Sequence, residues 1–233
     1  MTISTRPVLL LHGGGGPATM APIAAHLDGA LLPTHPGWNG TPLGDVSRPA
    51  DIAAGYLELL RSQGLTDVLV IGSSLGGWIG VELALQDAER RVSGLIIIDG
   101  AGIAVEGEPM RDFFALTPRE VSEYSFHDGA AFFVDPASLP PEQLAGRLAN
   151  MQTMRSIAGE PYMHDPTLLS RLPLVAVPTL VIWGESDRIF TPGYGRAYAA
   201  SIPGSRFELV EKAGHLPQLE QPEATLALID SML

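Results

Sequence analysis

A serine between two glycines, placed where an apolar run ends, is the residue of this chain best suited to act as a nucleophile. The segment after the apolar residues 69–71 satisfies the pattern Gly-x-Ser-x-Gly only with Gly72, Ser74 and Gly76. Centring the pattern on Ser73 would put two bulky apolar residues where glycines are needed. The pattern predicts a strand, a tight turn and a helix with Ser74 at the apex. An ordinary strand-to-helix turn with a serine cap gives the same pentapeptide, so other residues must distinguish the two interpretations.

A serine hydroxyl needs a base to take its proton, and the base needs a carboxylate to orient it. Asp187 follows an apolar run, and His215 follows another, so both are predicted in loops just past strands. Glu185 and Asp99 are alternative carboxylates, since each also lies near a predicted strand end. The order of Ser74, Asp187 and His215 along the chain, together with their placement, predicts a Ser-His-Asp triad.

Acyl transfer also needs two donors directed at the oxyanion that forms on the substrate. The backbone N–H of Leu75, directly after the serine, is one candidate. The glycine run 13–16, after the first predicted strand, supplies the other, with Gly14 as our choice and Gly15 as the alternative. We expect His12, which precedes this run, to brace the loop rather than to act as a base.

The same glycine run offers a rival interpretation as a dinucleotide-binding loop, Gly13-x-Gly15-x-x-Ala18. Pro33 and Thr34 stand where an acidic residue would bind a ribose, which disfavours that interpretation. The chain has no cysteine, so thiolate nucleophiles, disulfides and thiolate metal sites are excluded. We expect no cofactor and no metal, because the predicted chemistry requires neither.

The charge balance bears on possible partners and on location. The formal net charge is −12, and Lys212 is the single lysine, so the chain offers no cationic stripe for a nucleic acid backbone. Its apolar runs are too short to cross a membrane, and residues 1–6 do not resemble a signal peptide. We therefore expect a cytoplasmic protein acting on a small molecule, without nucleic acid or membrane partners; the oligomeric state stays open.

Alternating strand and helix patterns predict an α/β fold, with a mostly parallel sheet covered by helices on both faces. The alternation breaks over residues 103–172, which are rich in proline, phenylalanine and methionine. We predict a core of residues 1–102 and 173–233 and a helical cap of residues 103–172 above the carboxyl edge of the sheet. The phenylalanines and methionines of this segment either line an apolar substrate pocket or form a small core of the cap itself. The candidate pocket residues within it are Phe113, Phe114, Phe132 and Phe133. Trp38 and Phe190, outside the segment, either border the same pocket or are packed in the core.

These motifs together resemble the α/β-hydrolases of the capped esterase kind over nearly the whole chain. The resemblance rests on residues 11–14, 35–38, 72–77, 184–187 and 214–215. The layout is similar to carboxylesterases, carrier-protein methyl-ester esterases and C–C bond hydrolases of aromatic ring cleavage. It implies the α/β-hydrolase fold and a serine hydrolase cleaving a small to medium, apolar carboxylic ester. The alternatives are C–C bond cleavage, another cofactor-free activity such as a lyase or perhydrolase, or a ligand-binding sensor. The C–C hydrolases typically carry Asn and Trp where Ser73 and Leu216 stand here.

Overall fold

The computed structural model describes residues 6–233, and its centre is a five-stranded sheet in which every neighbouring pair is parallel. The spatial order follows the chain order. The strands are β1 (Val8–Leu11), β2 (Val68–Ser73), β3 (Val92–Ile98), β4 (Thr179–Gly184) and β5 (Arg206–Val210). Because all five run in the same direction, the loops that follow them meet at one edge of the sheet.

Strands β1 to β4 are buried along almost their whole length on both faces of the sheet, which agrees with their mainly apolar sequences. In β1, Leu9 and Leu11 belong to one hydrophobic core, while Val8 and Leu10 belong to the other. The helices Pro49–Ser62 and Leu75–Gln86 are among those that contribute residues to the first core, and the helices Ala21–His26 and Pro222–Asp230 contribute residues to the second. The predicted parallel sheet with helices on both faces is confirmed.

Ten α-helices occur in the described part of the chain, and no helix within residues 6–233 is long and apolar enough to cross a membrane. Their bounds are α1 (Ala21–His26), α2 (Pro49–Ser62), α3 (Leu75–Gln86), α4 (Pro118–Ser125), α5 (Gly129–Phe132), α6 (Pro141–Ala158), α7 (Leu168–Arg171), α8 (Pro192–Ala200), α9 (Pro217–Glu220) and α10 (Pro222–Asp230). Five short 3-10 helices cover Pro17–Met20, Trp38–Gly40, Phe113–Ala115, Pro136–Ser138 and Leu172–Leu174.

The apolar run at residues 30–33, which reads as a second strand, forms only a single bridge to the sheet. Leu31 pairs with Leu9, its N–H donates to the Val8 carbonyl at 2.8 Å, and its carbonyl accepts from the Leu10 N–H at 2.8 Å. Proline at position 33 has no N–H to continue the ladder, which accounts for the short pairing.

Residues 103–172, all within the described chain, add no strand to the five-stranded sheet. Helix α6 packs on the loop at residues 37–40. The side chain of Asn150 accepts from the Asn39 N–H at 2.8 Å, and the Thr153 hydroxyl donates to the Gly37 carbonyl at 3.0 Å. At the far end of the segment, Arg171 makes a two-bond ion pair with Glu82 of α3, with N–O distances of 2.6 and 2.9 Å.

Candidate active site

Ser74 stands at the turn between β2 and α3, with backbone angles φ 55° and ψ −117°. Such a positive φ is strained for a residue with a side chain. Neighbouring glycines make the turn possible: a Cβ at Gly76 would stand 2.0 Å from the Leu11 carbonyl oxygen, and one at Gly72 would stand 2.1 Å from the Gly76 oxygen. The backbone of the turn is fixed to the sheet, because the Ser74 N–H donates to Ile98 at 2.9 Å.

Ser74, His215 and Asp187 are joined in one hydrogen-bonded chain. The His215 Nε2 lies 2.9 Å from the Ser74 hydroxyl oxygen, and its Nδ1 lies 2.8 Å from Asp187 Oδ2. An ionised carboxylate only accepts hydrogen bonds, so Nδ1 carries the proton and Nε2 accepts from the serine. All three side chains are buried, and Ser74 is 8% exposed. In this arrangement the imidazole can take the proton of a serine that attacks a substrate.

The loop after β4 fixes the Asp187 carboxylate through two backbone hydrogen bonds. The second carboxylate oxygen, Oδ1, accepts from the backbone N–H groups of Ile189 at 2.8 Å and Phe190 at 3.1 Å. Glu185, the nearest alternative in sequence, is exposed and accepts instead from the Lys212 N–H at 3.2 Å. The structure therefore joins Asp187, and not Glu185, to the histidine.

The loop that carries His215 is held by the segment 103–172. The His215 N–H donates to the Ser125 carbonyl, at the end of α4, at 2.6 Å. A Cβ at Gly214 would lie 2.2 Å from the same oxygen, so α4 approaches the backbone very closely. Beside the imidazole lies the Phe190 ring, 5.5 Å away between centroids. The contact with Ser125 has no signal in the sequence.

The glycine loop contacts the serine and helix α6 through different residues. A Cβ at Gly13 would lie 3.0 Å from the Ser74 Cβ, whereas one at Gly14 would lie 2.3 Å from the Met154 sulfur. Gly15 is exposed, and a Cβ there would lie 2.8 Å from the methyl group of Thr19 in the 3-10 helix that follows the loop. Leu75 begins α3, so no carbonyl of the preceding turn within the helix is available to its N–H.

Two stacked imidazoles brace this loop, as expected for His12. The His12 Nδ1 donates to the Gly13 carbonyl at 2.7 Å, and its Nε2 accepts from the His35 N–H at 3.0 Å. The His35 Nε2 donates to the His12 carbonyl at 2.9 Å, and its Nδ1 accepts from the Tyr56 hydroxyl at 2.5 Å. Burial lowers the pKa of His12 to about 4 and holds the pKa of His35 well below its ordinary value, so both rings are neutral at pH 7.

Among the six aromatic candidates, Trp38 and Phe190 are buried in the loops that surround the serine. The Trp38 indole N–H donates to the Gly14 carbonyl at 2.9 Å, which places its ring beneath the glycine loop. The other four make ring contacts within the segment 103–172. These are Phe113 with Phe114, Phe114 with Tyr162, Phe132 with Phe126, and Phe133 with Arg119.

Comparison with known proteins gives matches along nearly the whole chain. A 2-hydroxy-6-oxononadienedioate/2-hydroxy-6-oxononatrienedioate hydrolase from Pseudomonas putida is 28% identical over 93% of this chain and 83% of its own length. Lipase 1 from Psychrobacter immobilis is 28% identical over 96% of this chain and 75% of its own. A thermophilic esterase from Thermogutta terrifontis has a similar fold, with a TM-score of 0.71 at 24% identity over 99% of this chain and 90% of the esterase.

Residues 8–228 match the profile described as "Alpha/beta hydrolase family". The matched region runs from the first strand of the sheet into the last helix, and so includes Ser74, Asp187 and His215. The resemblance inferred from the motifs is confirmed, as is the prediction of a hydrolase enzyme. Because the match covers nearly the whole chain and spans the sheet together with the strained turn at Ser74, the chain belongs to the alpha/beta hydrolase family.

Proposed function

We propose that this protein is a serine hydrolase that cleaves a carboxylic ester through an acyl-enzyme formed on Ser74. The observation that carries the proposal is the continuous hydrogen-bonded chain from Asp187 through His215 to the strained Ser74. Relatives include a protein named as a lipase, and a protein of similar fold is named as an esterase.

The reaction runs in two halves. Ser74 Oγ attacks the ester carbonyl carbon while His215 Nε2 takes the hydroxyl proton, and the carbonyl oxygen becomes an oxyanion. When the tetrahedral intermediate collapses, the alcohol leaves with that proton and the acyl group stays on Ser74. Water then attacks the acyl-enzyme by the same proton route and releases the acid. Asp187 orients the imidazole and stabilises its charged form, while the Leu75 and Gly14 N–H groups bind the oxyanion.

The surroundings of the serine favour a small to medium apolar substrate. Met154 of α6 packs against Gly14, and Phe190 packs beside His215, so apolar side chains border both sides of the reacting centre. In this proposal the segment 103–172 is a cap that borders the site, with Met154 beside Gly14 and the Ser125 carbonyl bonded to the His215 N–H. The remaining candidate aromatics are less enclosed: Phe113 and Phe114 are partly buried against the main core, and Phe132 is 36% exposed.

C–C bond cleavage is the second candidate, and the 28% identity to the Pseudomonas putida hydrolase over 93% of the chain favours it. Ser73 and Leu216 favour the ester, because the C–C hydrolases typically carry Asn and Trp at those two positions. Both reactions use the same serine, so only the substrate distinguishes them.

The test is hydrolysis of p-nitrophenyl esters of increasing acyl length, together with labelling by a fluorophosphonate probe. We expect Ser74→Ala to abolish labelling and to lower kcat by at least about 10⁴-fold. Ser73→Ala is the matched control, because Ser73 is buried and accepts from the Gln218 side chain at 3.2 Å; its kcat should stay within about tenfold of the wild type. Cleavage of a vinylogous diketone with esters left intact would refute the ester proposal and support the C–C alternative.

A further inference from the structure

A second buried carboxyl group, Asp99, lies at the end of β3 and is not used by the reaction proposed above. Its backbone has a φ of 45°, and its N–H donates to the Ile182 carbonyl at 3.0 Å. The side chain is fully buried, and Oδ1 accepts from the Gly184 N–H at 2.9 Å. The other oxygen, Oδ2, is buried without a hydrogen-bond partner among the described residues. An unpaired buried oxygen of this kind is costly if the group is ionised.

The groups around Asp99 decide where a proton resides. An Asp99 oxygen, an Asp187 oxygen and a His215 ring nitrogen all lie within 4.8 Å of one another, and Glu220 adds a further negative charge. Asp187 receives three hydrogen bonds from N–H groups, two from the backbone and one from His215, and each of them stabilises the ionised form. Asp99 receives one. Two ionised carboxylates cannot share such a buried space, so one of them must hold a proton.

Burial and the charge of Asp187 raise the pKa of the Asp99 carboxyl well above its ordinary value, which agrees with this count of donors. A proton on Oδ2 would also supply the hydrogen bond that this oxygen lacks. The carboxylic acid would then be both a donor, toward Asp187, and an acceptor, from Gly184.

We propose that Asp99 is a protonated positioning residue whose carboxylic acid donates a hydrogen bond to the Asp187 carboxylate and fixes its orientation toward His215. The proposal rests on the proposed function, because it assigns Asp99 a role through the same Asp187 and His215. It also gives the buried pair a single negative charge, since only Asp187 is ionised.

The decisive variant is Asp99→Asn, because the amide reproduces the hydrogen-bonding of a protonated acid: its N–H₂ can donate to Asp187 and its oxygen can accept from Gly184. We expect kcat/KM within about threefold of the wild type and an unchanged acid limb of the pH profile, whereas Asp99→Ala should lose about tenfold or more. If Asp99 were ionised, Asp99→Asn would remove a negative charge near His215. The acid limb would then move to lower pH by about one unit, and that shift would overturn the proposal.

Glu185→Gln is the matched control. It neutralises an exposed carboxylate two residues before Asp187 in the sequence, and it should change neither kcat/KM nor the pH profile. A second measurement does not depend on turnover or on the stability of the alanine variant. In Ser74→Ala protein with ¹³C-labelled aspartate carboxyls, NMR at pH 7 should show one protonated carboxyl that disappears in the Ser74→Ala, Asp99→Asn double variant. An ionised Asp99 in that spectrum would refute the inference, whereas a protonated Asp99 without ester hydrolysis would refute the proposed function alone.

Discussion

Acidification should destabilise this protein through the two stacked histidines beneath the glycine loop. His12 has a folded-state pKa of about 4 against an ordinary value of 6.5, and burial is the cause. As the pH falls below 6.5, His12 becomes protonated in the unfolded chain but stays neutral in the folded chain. The free energy of unfolding therefore decreases until the pH reaches the folded-state pKa. The stabilisation is therefore present above pH 6.5 and is lost between pH 6.5 and about 4. His35 contributes with the same sign, because its pKa is also lowered.

The size of the effect follows from these values. Lowering the pH from 7 to 5 should cost about 2 kcal/mol of unfolding free energy through His12 alone. Urea unfolding at both pH values measures it, by comparing the wild type with His12→Asn, whose amide nitrogen can replace Nδ1 as the donor to Gly13. The variant should be less stable at pH 7, yet its loss on acidification should be smaller by about 2 kcal/mol. His127→Asn is the control, because His127 is exposed. Between pH 7 and pH 5 the unfolding free energy of this variant should decrease by nearly the same amount as that of the wild type. An equal pH dependence in wild type and His12→Asn would refute the reasoning.

Three further predictions concern close backbone packing, a buried ion pair and the space beside the glycine loop. Gly76→Ala should lower the unfolding free energy measured in urea by more than about 3 kcal/mol, because the added Cβ would lie 2.0 Å from a β1 carbonyl oxygen. Gly55→Ala is the control: it lies at an exposed helix position with open space, and it should raise the unfolding free energy by about 0.5–1 kcal/mol. Arg171→Met should cost about 3 kcal/mol by leaving the buried Glu82 carboxylate unpaired, and a second change, Glu82→Gln, should restore part of the loss. Met154→Ala should raise kcat/KM for octanoyl over acetyl esters by about tenfold by opening space beside the glycine loop; an unchanged ratio would place the acyl group elsewhere.

The core elements of the fold could be predicted because each has a strong local signal. Strands β2, β3 and β4 each contain four consecutive apolar residues followed by glycine or aspartate, and helix α2 shows one apolar face before the glycine at position 64. The run at residues 30–33 has the same apolar character, but its pairing is limited to one bridge. The sequence feature that separates this run from the longer strands is Pro33, because it has no N–H to extend the ladder beyond the bridge.

Within the site, the residues with a chemical signature could be placed, whereas the residues that support them could not. A parallel sheet brings the ends of β2, β4 and β5 to one edge, so Ser74, Asp187 and His215 were expected to meet there. Asp99 could be recognised only as an alternative acid, because its distance from Asp187 depends on the register of β3 against β4. Met154 has no signature at all: one methionine in an aperiodic segment looks like any other until α6 is packed on the glycine loop.

The segment 103–172 helps to position the backbone of His215, although no sequence motif marks the residues involved. It supplies none of the three residues in the hydrogen-bonded chain, yet the Ser125 carbonyl accepts from the His215 N–H at 2.6 Å. Glu220 of α9 joins the same loop, accepting from the Gly214 N–H at 2.5 Å and from the His127 N–H at 2.8 Å. The imidazole is thus positioned from two directions, by Asp187 through its ring and by α4 through its backbone. Helix α6 contacts a different part of the site, since Met154 lies beside Gly14 and the Thr153 hydroxyl donates to the Gly37 carbonyl. The segment 103–172 therefore contacts the histidine and the glycine loop through two separate helices.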